Sequence, residues 1–410
     1  MDSLNLLERK ILNALNNHPL DSFSSLSKRM GMSKQMFIRK FNSLCERNIT
    51  KKATATFTPE ALSLTRYHVI FKVANIAQMT NLQVAFREHP YTRHYNQFYG
   101  ESFGCYTIFD VPQKCNGLLF KFFDYLVEQE ICEEYSVYRS LGYRHENPEP
   151  FPSYTQDPKP FDIGNFISKR LEKPTRFPRR KTPLNLENIT PLHLILIRDI
   201  GRNVRTPQAE LIERYKKFIA NPPQNANDYL PQPFLTYLES FFANRSNEAI
   251  KVAFGKQYNF VKDNIIYAPR WSFERRFYES YVYRAFFIEN VSSEEGAQLY
   301  YLVKEENPPF NISINVLDNG VVLNIKLPTY YDANFNYLIW STYSDYKLYS
   351  LDFFGRRGIY YHFYVDNFNT IDSAWRNDEE WILNSVIYRI EERIKNGQCG
   401  VYNNGPLVTT

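Results

Sequence analysis

Residues 7–50 read LERKILNALNNHPLDSFSSLSKRMGMSKQMFIRKFNSLCERNIT. Apolar residues recur at intervals of three and four along three segments, which is the pattern of helices that each bury one face. A His-Pro pair ends the first segment, Gly31 permits a tight exit from the second, and Ser33 can cap the third. The alternating text KKATATF follows. This order predicts a winged helix-turn-helix over residues 1–60.

Residues 64–145 alternate between strand and helix patterns in the order βαββαβ. This is the order of a ferredoxin-like sandwich, in which two helices cover one face of a four-stranded antiparallel sheet. Residues 281–356 repeat the order and include a hairpin with an Asp-Asn-Gly turn. The expected fold class is therefore α+β, with a winged helix-turn-helix and a ferredoxin-like sandwich duplicated within one chain. The open sheet faces are expected to pack together as a covalent pseudo-dimer.

The other boundaries follow from proline content and helix patterns. Residues 146–185 are rich in proline and predict a linker; within them, residues 159–181 hold eight Lys or Arg against two acids. This basic tether is either a solvated spacer or a segment that lies along a phosphate backbone. Residues 186–280 predict a second, degenerate winged-helix-like unit. Residues 357–410 predict a strand, a helix and a loose tail, and the helix docks on the core or mediates self-association.

Positive charge concentrates at the N-terminus. The whole chain has a formal net charge of only +5, but residues 1–60 hold ten Lys or Arg against five acids. On the third predicted helix, the positions that packing does not use carry side chains able to contact base edges and phosphates in a major groove. The alternative is a merely solvated face. The candidate DNA-binding residues are Ser33, Lys34, Gln35, Met36, Arg39, Lys40 and Ser43, with Lys51 and Lys52 on the wing.

This N-terminal segment, followed by a βαββαβ domain, resembles the Lrp/AsnC family of prokaryotic transcription regulators. The resemblance implies that the winged helix reads DNA. It also implies that the sandwich, often called RAM, dimerises through its sheet and binds small effectors such as amino acids. Asn48 stands where the family usually has glycine. The helix-turn-helix matches at Ile11, Leu12, Leu15, Leu26, Gly31, Ser33, Arg39 and Leu44.

The sandwich departs from the family pattern. Family members commonly carry a glycine followed soon by an aspartate in the hairpin that lines the effector site, and the text from Tyr99 to Gly104 has no aspartate. The resemblance makes Gly100, Glu101, Ser102 and Gly104 the candidates for binding a small-molecule effector. Family chains usually contain one two-domain unit. A tandem copy would read an asymmetric site or use its second half as a scaffold.

Familiar catalytic and metal-binding patterns do not occur. The sequence contains no GxxxxGK[ST], GxSxG, HExxH or DxDxDG motif, and its seven histidines do not cluster with cysteines or acids at ligand spacing. We therefore expect no enzymatic activity, no cofactor and no metal. Five cysteines without a CxxC pair indicate a reducing cytoplasm. The N-terminus does not resemble a signal peptide, and we expect no membrane partner.

The sequence thus predicts a sequence-specific regulator of transcription of Lrp/AsnC type that binds double-stranded DNA. A homo-oligomer, a dimer formed through the sandwich sheets or the C-terminal helix, is expected. Two alternatives remain open. One is a replication initiator or partition-type DNA-binding protein, and the other is a protein-protein scaffold that does not bind DNA.

Overall fold

A computed structural model describes residues 4–147, 161–179, 183–223, 230–243, 245–306, 308–352, 358–359 and 363–397. In the first range the elements are α1 (Leu6–Asn17), α2 (Phe23–Arg29), α3 (Lys34–Glu46), β1 (Thr50–Phe57), β2 (Leu64–Val73), α4 (Ile76–Glu88), β3 (Thr92–Tyr99), β4 (Phe103–Pro112), α5 (Asn116–Glu128) and β5 (Glu134–Glu146).

The other described ranges contain two groups of elements. The first group is α6 (Ile163–Ser168), α7 (Pro191–Arg202), α8 (Gln208–Ala220), α9 (Gln232–Ala243), α10 (Asn247–Asn264), β6 (Ile266–Phe273), β7 (Tyr281–Glu289), α11 (Ser293–Glu305), β8 (Asn311–Leu317), β9 (Gly320–Pro328), α12 (Thr329–Thr342) and β10 (Tyr346–Leu351). The second group is β11 (Gly358–Ile359), α13 (Phe363–Asp366), β12 (Phe368–Asn369), β13 (Ala374–Trp375) and α14 (Ser385–Lys395).

Each of the first three helices begins at a side chain that accepts a hydrogen bond from the first turn. Asn5 accepts from the Glu8 amide, and Ser22 and Ser33 accept from amides three residues further on. Asn48 has φ +56°, the left-handed conformation that ends α3, as its position predicts. The helices therefore occur where caps and apolar spacing indicate them.

The predicted wing hairpin is wrong. β1 pairs antiparallel with β6 instead, from Thr50 opposite Phe273 to Phe57 opposite Ile266. A short 3-10 helix over Pro59–Leu62 separates β1 from β2 and carries the chain into the sandwich. The sequence pattern showed that β1 was extended but not which strand would satisfy its hydrogen bonds. The two-stranded ribbon that carries Lys51 and Lys52 is therefore built by both halves of the chain.

The two sandwich sheets join into one closed sheet. Each half contributes four strands in the same order, β5-β2-β4-β3 and β10-β7-β9-β8, and the edges meet through the pairs β5–β8 and β3–β10. Apolar side chains from both halves fill the interior, and the helices cover the outer faces as two further cores. The open faces do pack on each other, as expected, and the strand edges are joined as well. The interior apolar residues include Ile70, Phe98, Tyr106, Phe287, Val322 and Tyr349.

The linker prediction needs correction where the chain is described. Residues 148–160 and 180–182, which include Lys159, lie outside the described residues. Residues 161–179 are not a free tether, because α6 buries Ile163, Phe166 and Ile167 against the second half. Lys169 and Lys173 form ion pairs with Glu306 at 2.9 and 2.8 Å. Part of the predicted basic cluster is thus neutralised by protein carboxylates.

The C-terminal extension docks on the first half. Arg389 and Arg393 pair with Glu88 of α4 at 3.0 and 2.6 Å, and the Trp375 indole donates to the Leu62 carbonyl at 2.8 Å. The strand predicted from Gly358 to Phe368 is wrong where it is described, because only Gly358–Ile359 and Phe368 are extended and Phe363–Asp366 forms α13. Residues 398–410 lie outside the described residues. Of the two roles expected for the last helix, packing on its own core is the one observed.

The described residues of the second helical unit include four helices, α7 to α10. One of them, α9, follows the proline-containing segment after α8, and the sequence pattern does not predict it. Buried apolar residues of α7 connect these helices to β1. Helices long and apolar enough to cross a membrane do not occur in the described part of the chain.

The close approach of β4 to β2 predicts that Gly104→Ala destabilises the protein. A Cβ at Gly104 would lie 1.9 Å from the Phe71 carbonyl oxygen, so backbone must shift. We expect the free energy of unfolding to fall by about 1–3 kcal/mol in urea denaturation. Gly117→Ala on α5 is the control, because its Cβ would meet nothing within 4 Å. Equal stability of the two variants would contradict the described packing.

Candidate nucleic-acid interface

The sequence-predicted DNA-binding residues share the outer face of α3. Ser33, Lys34, Gln35 and Arg39 are exposed, and Met36 is 37% exposed. Lys40 and Ser43 are half-buried on the flanks of this face. On the opposite side of the helix, Phe37 and Leu44 are fully buried in the core. The sequence therefore packs the apolar side of α3 inward and leaves its polar side open.

The positive charges on this face are not neutralised within the protein. Among the described residues, Lys34, Arg39 and Lys40 have no ion-pair partner. Arg47, by contrast, pairs with Glu8 at 2.7 Å and so ties the end of α3 to α1. Lys52 is exposed on the ribbon, whereas nothing is described of the Lys51 side chain. A cationic helix face without internal counterions is suited to phosphates and base edges.

The second half of the chain holds this helical unit in place. Arg205, which follows α7, donates to the carbonyls of Pro19 and Asp21 at 2.9 and 2.6 Å. Its guanidinium lies 4.6 Å from the centre of the Phe23 ring. Trp271 of β6 packs edge-on against Phe41 of α3 at 5.4 Å. Sequence reasoning missed these positioning residues, because no local pattern signals a contact between residues 184 positions apart.

The second helical unit does not repeat the cationic face. α10 precedes β6 as α3 precedes β1, and its exposed residues include Glu248, Lys251, Val252 and Lys256. Glu248 lies 4.0 Å from Lys251, so the start of α10 is close to neutral. Val252 is 56% exposed. Of these two helices, α3 therefore carries the larger excess of positive charge on its exposed face.

The effector candidates lie at the turn between β3 and β4. Gly100 has φ +140° and is exposed, as is Glu101, whereas Ser102 is half-buried. Gly104 is buried between the Phe71 carbonyl and the Phe98 ring. The two cavities described, of about 120 and 140 Å³, are lined by other residues. The turn residues are thus near one another, and effector binding by them stays a prediction.

A polar cluster that the sequence did not single out lies inside the closed sheet. Asp110 accepts two hydrogen bonds from Arg66 at 2.7 and 2.8 Å. Burial alone would raise the pKa of Asp110, but the Arg66 guanidinium outweighs it and holds that pKa below its usual value. His68 Nδ1 lies 2.6 Å from the Tyr106 hydroxyl. Among the residues that the structure describes, the Nε2 atom of His68 and the Oδ1 atoms of Asn315 and Asn324 have no hydrogen-bond partner.

The strand registers allow this cluster to be compared with the matching positions of the second half. Arg66 faces Asp110 across β2 and β4, and the matching pair across β7 and β9 is Tyr283 and Lys326. His68 corresponds in the same way to Ala285. The Arg66–Asp110 pair and His68 therefore have different residues at the matching positions of the second half, which contributes Asn315 and Asn324 to the polar interior. In the described part of the chain, no group of three or more His, Cys, Asp or Glu could hold a metal ion.

Comparison with known proteins finds no matching family model and no matching curated protein. Among solved structures, the siroheme decarboxylase NirDL matches over 94% of this chain and 99% of its own, with 13% identity and a TM-score of 0.46. An AsnC family transcriptional regulator from Agrobacterium tumefaciens matches 40% of this chain at 14% identity and a TM-score of 0.28. The regulator NMB0573 from Neisseria meningitidis, solved with L-Met, also covers 40%, with a TM-score of 0.29.

These matches correct one expectation. The sequence reading excluded enzymatic activity because familiar motifs are missing, yet the solved chain that matches along nearly its whole length is an enzyme. A lack of short motifs therefore does not exclude catalysis for a chain of this kind. Similarity at this level does not transfer an activity.

Buried histidines, among them His68 and His89, predict the acid sensitivity of the fold. Burial lowers the pKa of His68 and of His89 to about 3, whereas an unfolded histidine titrates near 6.5. The unfolded state therefore takes up protons that the folded state does not, and stability falls as the pH drops below 6.5. We expect each histidine to contribute a loss of about 1 kcal/mol between pH 7 and pH 5.5.

Urea unfolding measured at several pH values tests this expectation. Substitution of His68→Leu removes one of these groups, so the dependence of stability on pH between 5.5 and 7 becomes shallower. The comparison uses the slope and not the absolute stability, because the variant also deprives Tyr106 of a partner. An unchanged slope would show that His68 is not held neutral in the folded protein.

Proposed function

We propose that this protein is a sequence-specific regulator of transcription that binds double-stranded DNA by inserting α3 into a major groove. The observation that carries the proposal is the exposed face of α3, on which Lys34, Arg39 and Lys40 have no internal counterions among the described residues. Its cap, its buried face and the clamp by Arg205 leave that face rigidly presented. Rigid presentation favours base-specific contact over loose phosphate binding.

The residue types suit particular contacts. Arg39 can bond both acceptors of a guanine edge, and Gln35 can bond an adenine edge. Phosphates can be contacted by Lys34, Lys40 and Lys52. The Ser33 hydroxyl accepts a hydrogen bond from the Met36 amide and caps the end of α3 that would lie nearest the groove. Phosphate contacts contribute most of the affinity, and base contacts contribute the discrimination between sequences.

We further propose that the chain is an internal duplication in which one half reads DNA and the other supports it. The shared strand order of the two sheets supports the duplication. The near-neutral start of α10 supports a single reading helix in each chain. The DNA element contacted by one chain would then be a single, non-palindromic half-site, since a palindrome requires two equivalent readers.

The first test is an electrophoretic mobility shift on random duplex and on a selected site at several salt concentrations. We expect affinity to fall steeply with salt, because bound cations are released from the phosphates. The double substitution Arg39→Ala and Lys40→Ala is expected to lower affinity at least about tenfold and to make the salt dependence shallower. Absence of binding to any duplex at low salt would refute the proposal.

The second helical unit offers a matched control. The double substitution Lys251→Ala and Lys256→Ala removes the same charge from the exposed face of α10. Because that face also carries Glu248 and is close to neutral, affinity is expected to stay within about twofold of the unmodified protein, a change below 0.5 kcal/mol. A loss equal to that of the α3 variant would mean that both halves contact DNA.

A further inference from the structure

The surfaces expected to make an oligomer are already used within one chain. The edges of the two sandwich sheets pair with each other, and α14 packs on α4 and α5. Another apolar surface stays exposed on α12 of the second half. Three aromatic side chains there, Tyr330, Tyr337 and Trp340, are 65%, 66% and 62% exposed.

These three residues form one stripe along the helix, which we call the aromatic stripe. Tyr330 and Tyr337 are seven residues apart and Trp340 follows three later, so all three lie on one face. The ring centres of Tyr337 and Trp340 are 5.8 Å apart. The opposite face of α12 is buried in the core of the second half. The packing of this opposite face fixes the position of the helix that carries the stripe.

The exposed residues of α12 around the stripe carry no charge. They are small or neutral, and the acid on the flank, Asp332, is paired with Arg284 at 2.6 Å. Covering this face therefore requires no charged group to lose its hydration. The exposed neighbours of the three aromatic residues are Thr329, Ala333, Asn334 and Ser341.

The matching helix of the first half is covered. α5 occupies the same place in the strand and helix order as α12, and the C-terminal segment lies against it. Lys121 pairs with Glu379 at 3.1 Å, and the Tyr125 hydroxyl donates to Glu391 at 3.3 Å. The same position in the fold is thus covered by helical protein in one half and bears exposed aromatic rings in the other.

We propose that the aromatic stripe of α12 is an interface with the α12 of a second copy of this chain. An antiparallel pairing about a two-fold axis sets Tyr330 of one copy against Trp340 of the other. An uncharged stripe is complementary to itself, as such an interface requires. The three rings, at about 150–250 Å² each and roughly two-thirds exposed, would contribute about half of the ~800 Å² per partner of a standard interface.

Sedimentation equilibrium of the full chain between 1 and 100 μM tests the proposal. We expect the mass to rise with concentration toward twice the 48.6 kDa of one chain. Trp340→Glu places a charge in the stripe and is expected to raise the dissociation constant at least about tenfold. Circular dichroism is expected to be unchanged, because the side chain is largely exposed.

Ile371→Glu is the control, because Ile371 is 88% exposed and lies outside the stripe. We expect this variant to associate as the unmodified chain does. A monomer throughout the concentration range would overturn the proposal. A dimer that persists unchanged in Trp340→Glu, or one that is lost equally in Ile371→Glu, would also overturn it. None of these outcomes depends on whether the protein binds DNA.

Discussion

The fold depends on how the four edge strands of its two sheets satisfy their backbone hydrogen bonds. A four-stranded antiparallel sheet leaves an unpaired row of backbone amides and carbonyls at each side, and such edges invite pairing with other chains. Here β5 pairs with β8 and β3 pairs with β10, so each half satisfies the edges of the other. The closure directs one face of each sheet into a shared interior and leaves the outer faces for helices. The ribbon of β1 and β6 repeats the same exchange between the helical units.

This exchange makes the candidate interface a property of the whole chain. α3 supplies the cationic face, but Trp271 and Arg205, which set the position of the first helical unit, come from the second half. The two halves contribute different features. The first holds the uncompensated charges of α3 and the interior cluster of Arg66, His68 and Asp110, whereas the second supplies packing residues and an aromatic outer face.

Closure of the sheet also limits which surfaces can join this chain to another copy. Here both sheets belong to one chain, and their edges are already paired with each other. Any larger assembly must therefore use another surface. The C-terminal segment covers α4 and α5, and α12 has no comparable cover among the described residues.

The sequence by itself determined the local elements of this protein. Caps at Ser22 and Ser33 and apolar spacing of three and four predicted α1 to α3, and strand alternation predicted the βαββαβ order, because these features depend on neighbours a few residues apart. The polar face of α3 could be predicted from the sequence for the same reason. Only the tertiary structure decided that β1 pairs with β6, that Arg205 clamps the turn before α2, and that residues 161–179 pack on the second half. Those contacts join residues far apart along the chain. Backbone hydrogen bonds form with the same groups whatever the side chains are, so the sequence of one strand does not specify which strand it pairs with.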